Sequence, residues 1–284
     1  MATELTLTKI HGCANDYLFV DCTESTLDRA GDLARILSDR RRGVGSDGMI
    51  LVCPSEQAEF RMEMYNADGS RGAMCGNGIR GLGKFVADRG MAAGDTLSVE
   101  TDSGIKTLEL FREAGKVARV KVDMGAPILD GRAIPVDHDG PVIDHQLEAA
   151  GRAWTVTCVS MGNPHCVTFD QDPDGMDLAT VGPEFEKHPF FPDGVNTEFV
   201  RGDSRSHLTM RVWERGSGET SACGTGACAV VVAAVITGRA DRKAIVALPG
   251  GDLEIEYPDD DHVFMTGPAE EVFTTTVAVD PDRS

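Results

Sequence analysis

The chain has 284 residues, of which 41% are hydrophobic, which is enough for a sizeable core and about two domains. Its net charge of −19 argues against nucleic acid and anionic membrane surfaces as partners, because both repel an acidic protein. No apolar run reaches the roughly 18 residues of a membrane span, and the first residues lack the features of a secretory signal. None of the eight cysteines lies in a Cys-x-x-Cys pair. We therefore expect reduced thiols and a cytoplasmic protein.

The first part of the chain predicts a series of strands and two helices. Alternating residues from Leu5 to Asp21 indicate two strands around a turn. Helical spacing from Ser25 to Asp39 predicts a helix with Ser25 or Thr26 as its N-cap. A second helix is expected after Cys75, ending at Gly90. Strands are predicted at 49–52, 60–65, 97–101, 105–111 and 117–122.

From Arg152 onward the same order of elements returns. Helices are predicted at 177–187 and 227–237. The second of these is apolar on all sides and would also suit a strand, but its position after Cys-Gly-x-Gly favours a buried helix. Strands are predicted at 154–161, 166–169, 197–201, 208–213, 244–248, 253–257, 263–266 and 271–279.

The two series keep a constant offset. Cys75 and Cys223 lie 148 positions apart, as do Asn15 and Asn163. A fixed offset with matching element order indicates a duplicated domain. We place the domain boundary near Gly125 and expect a small-molecule site where the two copies meet.

Each copy delivers a cysteine, in the pattern Cys-Gly-x-Gly, to the first turn of a predicted helix. Unpaired amides at a helix N-terminus attract a small anion, and glycine lets it approach closely. The same field is expected to lower the pKa of the thiol. A thiolate and a thiol on opposite faces of one carbon would form a base and an acid that invert that centre. Because Gly-rich loops are usually exposed, Cys75 and Cys223 fit a buried core role poorly.

Other interpretations of these loops stay open on the residues alone. The pattern G-x-G-x-x-G, or its Ala variant, begins at Gly43, Gly76 and Gly224. A dinucleotide site needs that loop to follow a strand tightly, whereas here a nine-residue loop intervenes. The Cys and His residues are not clustered as a zinc site requires, so no metal is expected. A redox disulfide between Cys75 and Cys223, or an amino-acid-binding protein without catalysis, are the alternatives.

Ordered motifs along nearly the whole chain resemble the diaminopimelate epimerase family. They are HGCANDY at 11–17, NADGS at 66–70, MCGNG at 74–78, MGNPHC at 161–166, NTEF at 196–199, ERGSGET at 214–220 and ACGTGA at 222–227. The resemblance implies an α/β (α+β) fold of two pseudo-symmetric halves. Each half would be a mainly antiparallel, β-barrel-like sheet around a central helix, with the active site between the halves. Residues 1–124 with 268–284 would form the half that carries Cys75, and residues 125–267 the half that carries Cys223.

The resemblance also implies an activity. It is the epimerisation of LL-2,6-diaminoheptanedioate (diaminopimelate) to the meso form, in lysine and peptidoglycan precursor biosynthesis, without pyridoxal phosphate or any other cofactor. It further implies a homodimer. The related two-cysteine racemases of proline and histidine are the alternative. Arg215, together with Asn66, Asn163 and Asn196, favours a substrate with a second amino-acid head over proline.

Site roles follow from the resemblance position by position. Cys75 and Cys223 would be the acid–base pair, with Cys75 the base for the LL substrate. His165 and Glu214 would tune the thiols and contact the reacting amino group. The carboxylate at the reacting centre would be held by Gly76, Asn77, Gly224 and Thr225. The remaining substrate contacts would come from Asn15, Asn66, Asn163, Asn196, Glu214 and Arg215.

Two positions depart from the family pattern. Gly48 stands where some members have a substrate-contacting Gln, so that contact would be absent or made by backbone. Ala14 replaces the more usual Gly before Asn15, and we expect it to stiffen the turn slightly.

Overall fold

A computed structural model of the chain describes residues 3–282. The chain forms two compact units. Unit 1 extends to Val122 and takes up the chain again from Gly267, and unit 2 comprises Asp123–Thr266. The predicted α/β class with two similar halves is confirmed, since both units hold a mainly antiparallel sheet and two helices in the same order.

Unit 1 begins with an antiparallel hairpin and continues into a parallel crossover. Its elements are β1 (Thr3–Gly12), β2 (Asn15–Asp21), α1 (Ala30–Ser38), β3 (Gly48–Cys53), β4 (Phe60–Asn66), β5 (Arg71–Gly72), α2 (Gly76–Asp88), β6 (Thr96–Thr101), β7 (Gly104–Glu113) and β8 (Lys116–Gly125). β1 pairs antiparallel with β2, β2 pairs parallel with β3, and β3 pairs antiparallel with β4. β4 also pairs parallel with β6, from which β7 and β8 continue as a meander.

Unit 2 repeats this topology. Its elements are β9 (His145–Ala149), β10 (Arg152–Ser160), β11 (Pro164–Thr168), α3 (Leu178–Glu186), β12 (Asn196–Ser204), β13 (His207–Glu214), β14 (Gly218–Thr220), α4 (Gly224–Ile236), β15 (Lys243–Leu248), β16 (Gly251–Glu256) and β17 (Val263–Pro268). The hairpin β10–β11, the parallel pair β11–β12 and the antiparallel pair β12–β13 follow in order. β13 pairs parallel with β15, as β4 does with β6. The last strand, β18 (Glu270–Val279), returns to β1.

The two helices that follow the cysteines are central to their units. α2 contacts β1, β2, β3, β7 and β18, and α4 contacts β10, β11, β12, β15 and β16. Side chains are buried almost all around both helices. Burial on all sides explains why α4 lacks a polar face. In α2, Gly81 permits close packing, because a Cβ there would lie 2.6 Å from the ring of Phe19.

Some element boundaries differ from the predictions. α1 begins at Ala30 rather than near Ser25, because Arg29 adopts a left-handed conformation (φ 57°) and serves as its N-cap. The short strands β5, β9 and β14 were not predicted, since two or three residues in a Gly-rich loop, or five in a segment rich in Pro, Gly and Asp, carry too little periodicity. Within residues 3–282, no helix has the length and apolar character needed to cross a bilayer.

Candidate active site

In unit 1, three of the predicted site residues form one hydrogen-bonded group. Cys75 is the N-cap of α2, and its Sγ accepts from the Gly78 amide at 3.4 Å. The thiol donates to Asn15 Oδ1 at 3.5 Å, and Asn77 Nδ2 donates to the same oxygen at 3.2 Å. The turn between β1 and β2 and the first turn of α2 thus bring Asn15, Cys75 and Asn77 together.

Charged groups that were not predicted support these two amides. Asp47 Oδ2 accepts from Asn15 Nδ2 at 2.8 Å. Arg80, whose side chain is fully buried, donates to Asn77 Oδ1 at 2.8 Å and to the Gly76 carbonyl at 3.1 Å. The Asp47 carboxylate therefore identifies the nitrogen of the Asn15 amide, and the Arg80 guanidinium identifies the oxygen of the Asn77 amide.

The pKa of Cys75 is raised, chiefly by burial of the thiol. A hydrogen bond from Tyr17, the amides of Gly78 and Asn77, and the positive charge of Arg80 all oppose that rise. The helix N-terminus lowers the thiol pKa as expected, but the expectation of a lowered net pKa is wrong, because desolvation of the thiolate outweighs the favourable amides. Those amides limit the rise without reversing it.

Asn66 and Gly48 lie at the paired ends of β4 and β3. Asn66 bonds within its own turn, with Nδ2 donating to Ser70 Oγ at 3.0 Å. A Cβ at Gly48 would lie 2.3 Å from the Tyr65 carbonyl oxygen, so this backbone has no room for a longer side chain there. The close strand pairing explains the Gly at position 48 of this chain.

In unit 2, Cys223 is the N-cap of α4 and lies beside acidic groups. Its Sγ is 3.5 Å from Thr225 Oγ1. Cys223 is only 5% exposed, so the expectation of an exposed cysteine is wrong for this loop. Burial raises its pKa well above the usual value, and the negative charges of Glu214 and Glu198 raise it further.

Glu214, at the end of β13, is itself perturbed. Burial raises its pKa, against the effect of hydrogen bonds from Thr220 and Cys223 and of the nearby His165. Thr220 Oγ1 donates to Glu214 Oε1. A carboxyl with a raised pKa that shares a hydrogen bond with a thiol is a typical component of a proton-transfer site.

His165 and Asn163 meet at the start of β11. His165 Nδ1 is 2.7 Å from Glu198 Oε1, and both side chains are completely buried. The other ring nitrogen, Nε2, is 3.0 Å from Asn163 Oδ1. This pair joins two predicted residues to Glu198, which was not predicted.

Asn196 and Arg215 form a separate group near the ends of β12 and β13. Asn196 Nδ2 donates to the Pro164 carbonyl at 2.8 Å, and its Oδ1 accepts from the Arg215 amide at 2.9 Å. The Arg215 side chain is exposed and donates to the Asp193 carbonyl at 2.9 Å. Asn196 thus fixes the backbone at Arg215, whose guanidinium is accessible.

Five residues of these groups were not predicted, although all lie in or near the motifs, because no single motif marks them as functional. They are Tyr17, Asp47, Arg80, Glu198 and Thr220. The offset of 148 could have found two of them. It pairs Tyr17 with His165 and Ile50 with Glu198, so that a buried carboxylate stands where an apolar residue suffices.

Comparison with known proteins identifies the family. A model of the family "Diaminopimelate epimerase" matches residues 7–129 and 157–272. The chain belongs to the diaminopimelate epimerase family. As a member of that family it is an isomerase.

Relatives support this over nearly the full length. The chain is 52% identical over 268 residues to diaminopimelate epimerase of Acetivibrio thermocellus, covering 94% of this chain and 96% of that one. It is 53% identical over 268 residues to the Moorella thermoacetica protein of the same name, covering 93% and 96%. It is 50% identical to the Methanococcus maripaludis protein, covering 94% and 97%.

Solved structures show the same fold at low sequence identity. A phenazine biosynthesis protein of the PhzF family from Bacillus anthracis has a TM-score of 0.68 and 16% identity, covering 98% of this chain and 100% of that one. A hydroxyproline epimerase from Agrobacterium vitis also has a TM-score of 0.68, with 14% identity, covering 98% and 93%. The diaminopimelate epimerase family therefore shares its fold with proteins of other names.

Proposed function

We propose that this diaminopimelate epimerase family member converts LL-2,6-diaminoheptanedioate to the meso form by proton transfer between Cys75 and Cys223. The main support is that two units of identical topology each present a Cys-Gly-x-Gly cysteine as the N-cap of a central helix. A single-base enzyme has no need of the second cysteine, whereas inversion by two bases does.

In the proposed reaction, Cys75 acts as the base. Its thiolate takes the proton from one α-carbon, so that the C–H bond breaks and an S–H bond forms. The Cys223 thiol then gives its proton to the opposite face of the same carbon, which inverts the configuration and leaves Cys223 as the thiolate. The enzyme returns to its starting state when a proton moves from Cys75 to Cys223 through solvent or by turnover in the reverse direction.

The helix N-termini supply the charge stabilisation for this reaction. We propose that the amides of Gly76 and Gly224, with the Asn77 and Thr225 side chains, hold the carboxylate at the reacting carbon. Hydrogen-bond donors in that place stabilise the negative charge that develops when the α-proton leaves. His165 and Glu214 would tune the thiols and contact the reacting amino group.

The distal half of the substrate would be recognised by amides and one guanidinium. Asn196 fixes the backbone at Arg215, whose exposed guanidinium suits bidentate binding of a carboxylate. Asn15, Asn66 and Asn163 complete the proposed set of contacts. A substrate with two amino-acid heads uses all of these groups, whereas proline has only one carboxylate and one amine.

The decisive experiment is turnover of LL-diaminopimelate in D₂O, followed by NMR and mass spectrometry. One solvent deuterium is expected at the inverted α-carbon. Cys75→Ser and Cys223→Ser should each reduce turnover on the order of 10³-fold or more, because a hydroxyl is a far weaker acid than a thiol and does not ionise to supply a base near neutral pH. Cys53→Ser, which changes a partly buried cysteine away from both helix N-termini, should retain the activity.

Four outcomes would reject the proposal. Full activity in either helix-cap mutant would exclude the two-base mechanism. Tight binding of diaminopimelate without inversion would identify a binding protein, and turnover of proline alone would identify a racemase of that class. Activity that requires an oxidised Cys75–Cys223 pair would identify a redox protein.

The remaining proposals concern organisation. We propose that residues 1–124 with 268–284, and residues 125–267, act as the two epimerase halves. We also propose a cytoplasmic homodimer that works in lysine and peptidoglycan precursor biosynthesis. Sedimentation equilibrium should give twice the chain mass, and loss of the gene should be rescued by supplied meso-diaminopimelate.

A further inference from the structure

Glu198 occupies an unusual place for a carboxylate. It lies on β12, beside β11, and is completely buried with His165. Its Oε1 is 2.7 Å from His165 Nδ1, while its Oε2 is buried and has no hydrogen-bond partner among residues 3–282. An unpaired buried polar atom costs about 1–3 kcal/mol, and more when the group is charged, so its presence calls for an explanation.

Packing does not explain the carboxylate, as unit 1 demonstrates. A Cβ at Gly226 would lie 2.6 Å from Glu198 Oε1. At the equivalent position of unit 1, a Cβ at Gly78 would lie 2.6 Å from the Cδ1 atom of Ile50. Ile50 and Glu198 therefore fill the same space beneath the first helical turn, and an apolar side chain fills it without an unpaired oxygen.

The difference between the units lies in what stands next to this position. In unit 1 the residue equivalent to His165 is Tyr17, and a phenol does not need a tautomer to be selected. A neutral imidazole carries its proton on either Nδ1 or Nε2, and a carboxylate beside one nitrogen fixes the proton there. At this pair of positions, unit 2 therefore has an imidazole, whose tautomer must be fixed, and a carboxylate that can fix it, whereas unit 1 has a phenol and an aliphatic side chain.

We infer that Glu198 is a positioning residue whose carboxylate holds the proton of His165 on Nδ1 and leaves Nε2 as an acceptor. For this tautomer the Asn163 amide presents Nδ2 to the ring, because Oδ1, which lies 3.0 Å from Nε2, cannot donate to it. The inference deepens the proposed function, because it states how His165 is prepared to contact the reacting group. It adds to the site a residue that does not itself touch the substrate. The orphaned Oε2 is the cost of keeping a carboxylate in this place.

The first test reads the tautomer of His165 directly, without substrate. Long-range ¹H–¹⁵N NMR of the full chain distinguishes protonated from unprotonated ring nitrogens, and a His165→Gln variant identifies the signals. The wild type should show a protonated Nδ1. Glu198→Ile, which copies Ile50, should shift His165 toward the Nε2-protonated form, whereas Ile50→Val should leave its signals unchanged.

The second test is kinetic. Glu198→Ile should reduce kcat on the order of 10²-fold with a smaller change in KM, which is the scale of a misplaced acid–base group. Glu198→Gln keeps an oxygen that accepts from Nδ1, so it should recover much of both the tautomer and kcat. Ile50→Val removes one buried methyl group and should cost stability without a comparable loss of kcat.

The outcomes separate this inference from the proposed function. An unchanged His165 tautomer in Glu198→Ile, or a kcat equal to that of the wild type, would overturn the inference. If Glu198→Ile fails to fold, the isosteric Glu198→Gln decides. Its His165 should still be protonated on Nδ1, and a shift to the Nε2-protonated form with kcat equal to that of the wild type would overturn the inference. A wild type that does not act on diaminopimelate would refute the proposed function while leaving the NMR result valid.

Discussion

The two cysteines occupy the same position in units of the same topology, yet their surroundings differ in charge. Around Cys75 stand a phenol and a buried guanidinium, from Tyr17 and Arg80. Around Cys223 stand two carboxyl groups, from Glu214 and Glu198. At the equivalent positions, unit 1 has Asn66 for Glu214 and unit 2 has Cys228 for Arg80. The two units therefore share the cysteine that caps the central helix but differ in the charged and polar groups around its thiol.

This difference acts in opposite directions on the pKa values of the two thiols. Burial raises the pKa of both thiols, but Tyr17 and Arg80 oppose the rise at Cys75, whereas the carboxyl groups add to it at Cys223. The groups around Cys75 thus favour its thiolate, whereas the groups around Cys223 disfavour its thiolate. That difference suits the proposed conversion of the LL isomer, in which Cys75 begins as the base.

The largest expected effect comes from making unit 2 resemble unit 1. Glu214→Asn copies Asn66 and removes one negative charge beside Cys223. We expect kcat to fall on the order of 10²-fold or more, because the proposed acid–base partner is lost. The pKa of Cys223 should fall, since a raised pKa moves down when a nearby negative charge is removed. Alkylation by iodoacetamide, followed residue by residue with mass spectrometry, should begin at lower pH for Cys223.

Cys75 in the same sample is the internal reference for that measurement. Its alkylation profile should not move, because burial, Tyr17, the first helical amides and Arg80 are the main causes of its pKa shift, and the variant changes none of them. A Cys223 profile that stays in place, or moves to higher pH, would contradict the charge argument. The converse variant, Asn66→Glu, should shift the alkylation of Cys75 to higher pH.

Arg80 gives the second prediction, a stability difference between the two central helices. Arg80→Met removes the donors to the Gly76 and Pro268 carbonyls and to Asn77 Oδ1, all within unit 1. Leaving those buried acceptors without partners should lower the free energy of unfolding by about 2–4 kcal/mol in urea denaturation. The pKa of Cys75 should rise as well, since the Arg80 charge lowers it.

Cys228→Ala is the matched control for Arg80→Met. Cys228 is the equivalent residue of α4 and is fully buried. Its truncation should cost about 1–2 kcal/mol through lost apolar burial, and it should leave the titration of Cys75 unchanged. Equal losses of stability in the two variants would mean that the Arg80 side chain stabilises unit 1 mainly by packing and that its hydrogen bonds contribute little to the free energy of unfolding.

Much of the fold could be predicted from the sequence, because the motifs and the order of predicted helices and strands occur twice. The offset of 148, the two cysteines and the apolar run after Cys223 locate both central helices. Motif resemblance also named residues that the structure brings together, such as Asn15 with Asn77 and His165 with Asn163.

Other features depend on three-dimensional neighbours and could not be predicted. The sign of the thiol pKa shift is decided by burial, which a Gly-rich loop does not reveal. Glu198 appeared only as a letter within NTEF, because its partner His165 is far away in sequence and meets it through the parallel pairing of β11 with β12. The start of α1 depends on the left-handed backbone conformation of Arg29, which the residue type arginine does not predict.

The smallest expected effect concerns the turns that carry Asn15 and Asn163. Ala14 has φ 62°, a left-handed conformation that strains a residue with a Cβ, and the equivalent Gly162 has φ 96°. Ala14→Gly should raise the free energy of unfolding by about 0.5–1 kcal/mol, because relief of strain exceeds the added freedom of the unfolded chain. Gly162→Ala should lower it by more than about 1 kcal/mol, since its φ is less accessible to alanine.

Thermal unfolding measures both changes, with about 2–4 °C expected per kcal/mol for a protein of this size class. Opposite signs at the two equivalent positions would show that unit 1 tolerates strain where unit 2 has removed it. A lower melting temperature for Ala14→Gly would mean instead that Ala14 limits the unfolded chain more than it strains the turn. Because Asn15 follows Ala14 directly and accepts from the Cys75 thiol, the strain lies one residue from a hydrogen-bond partner of the proposed base.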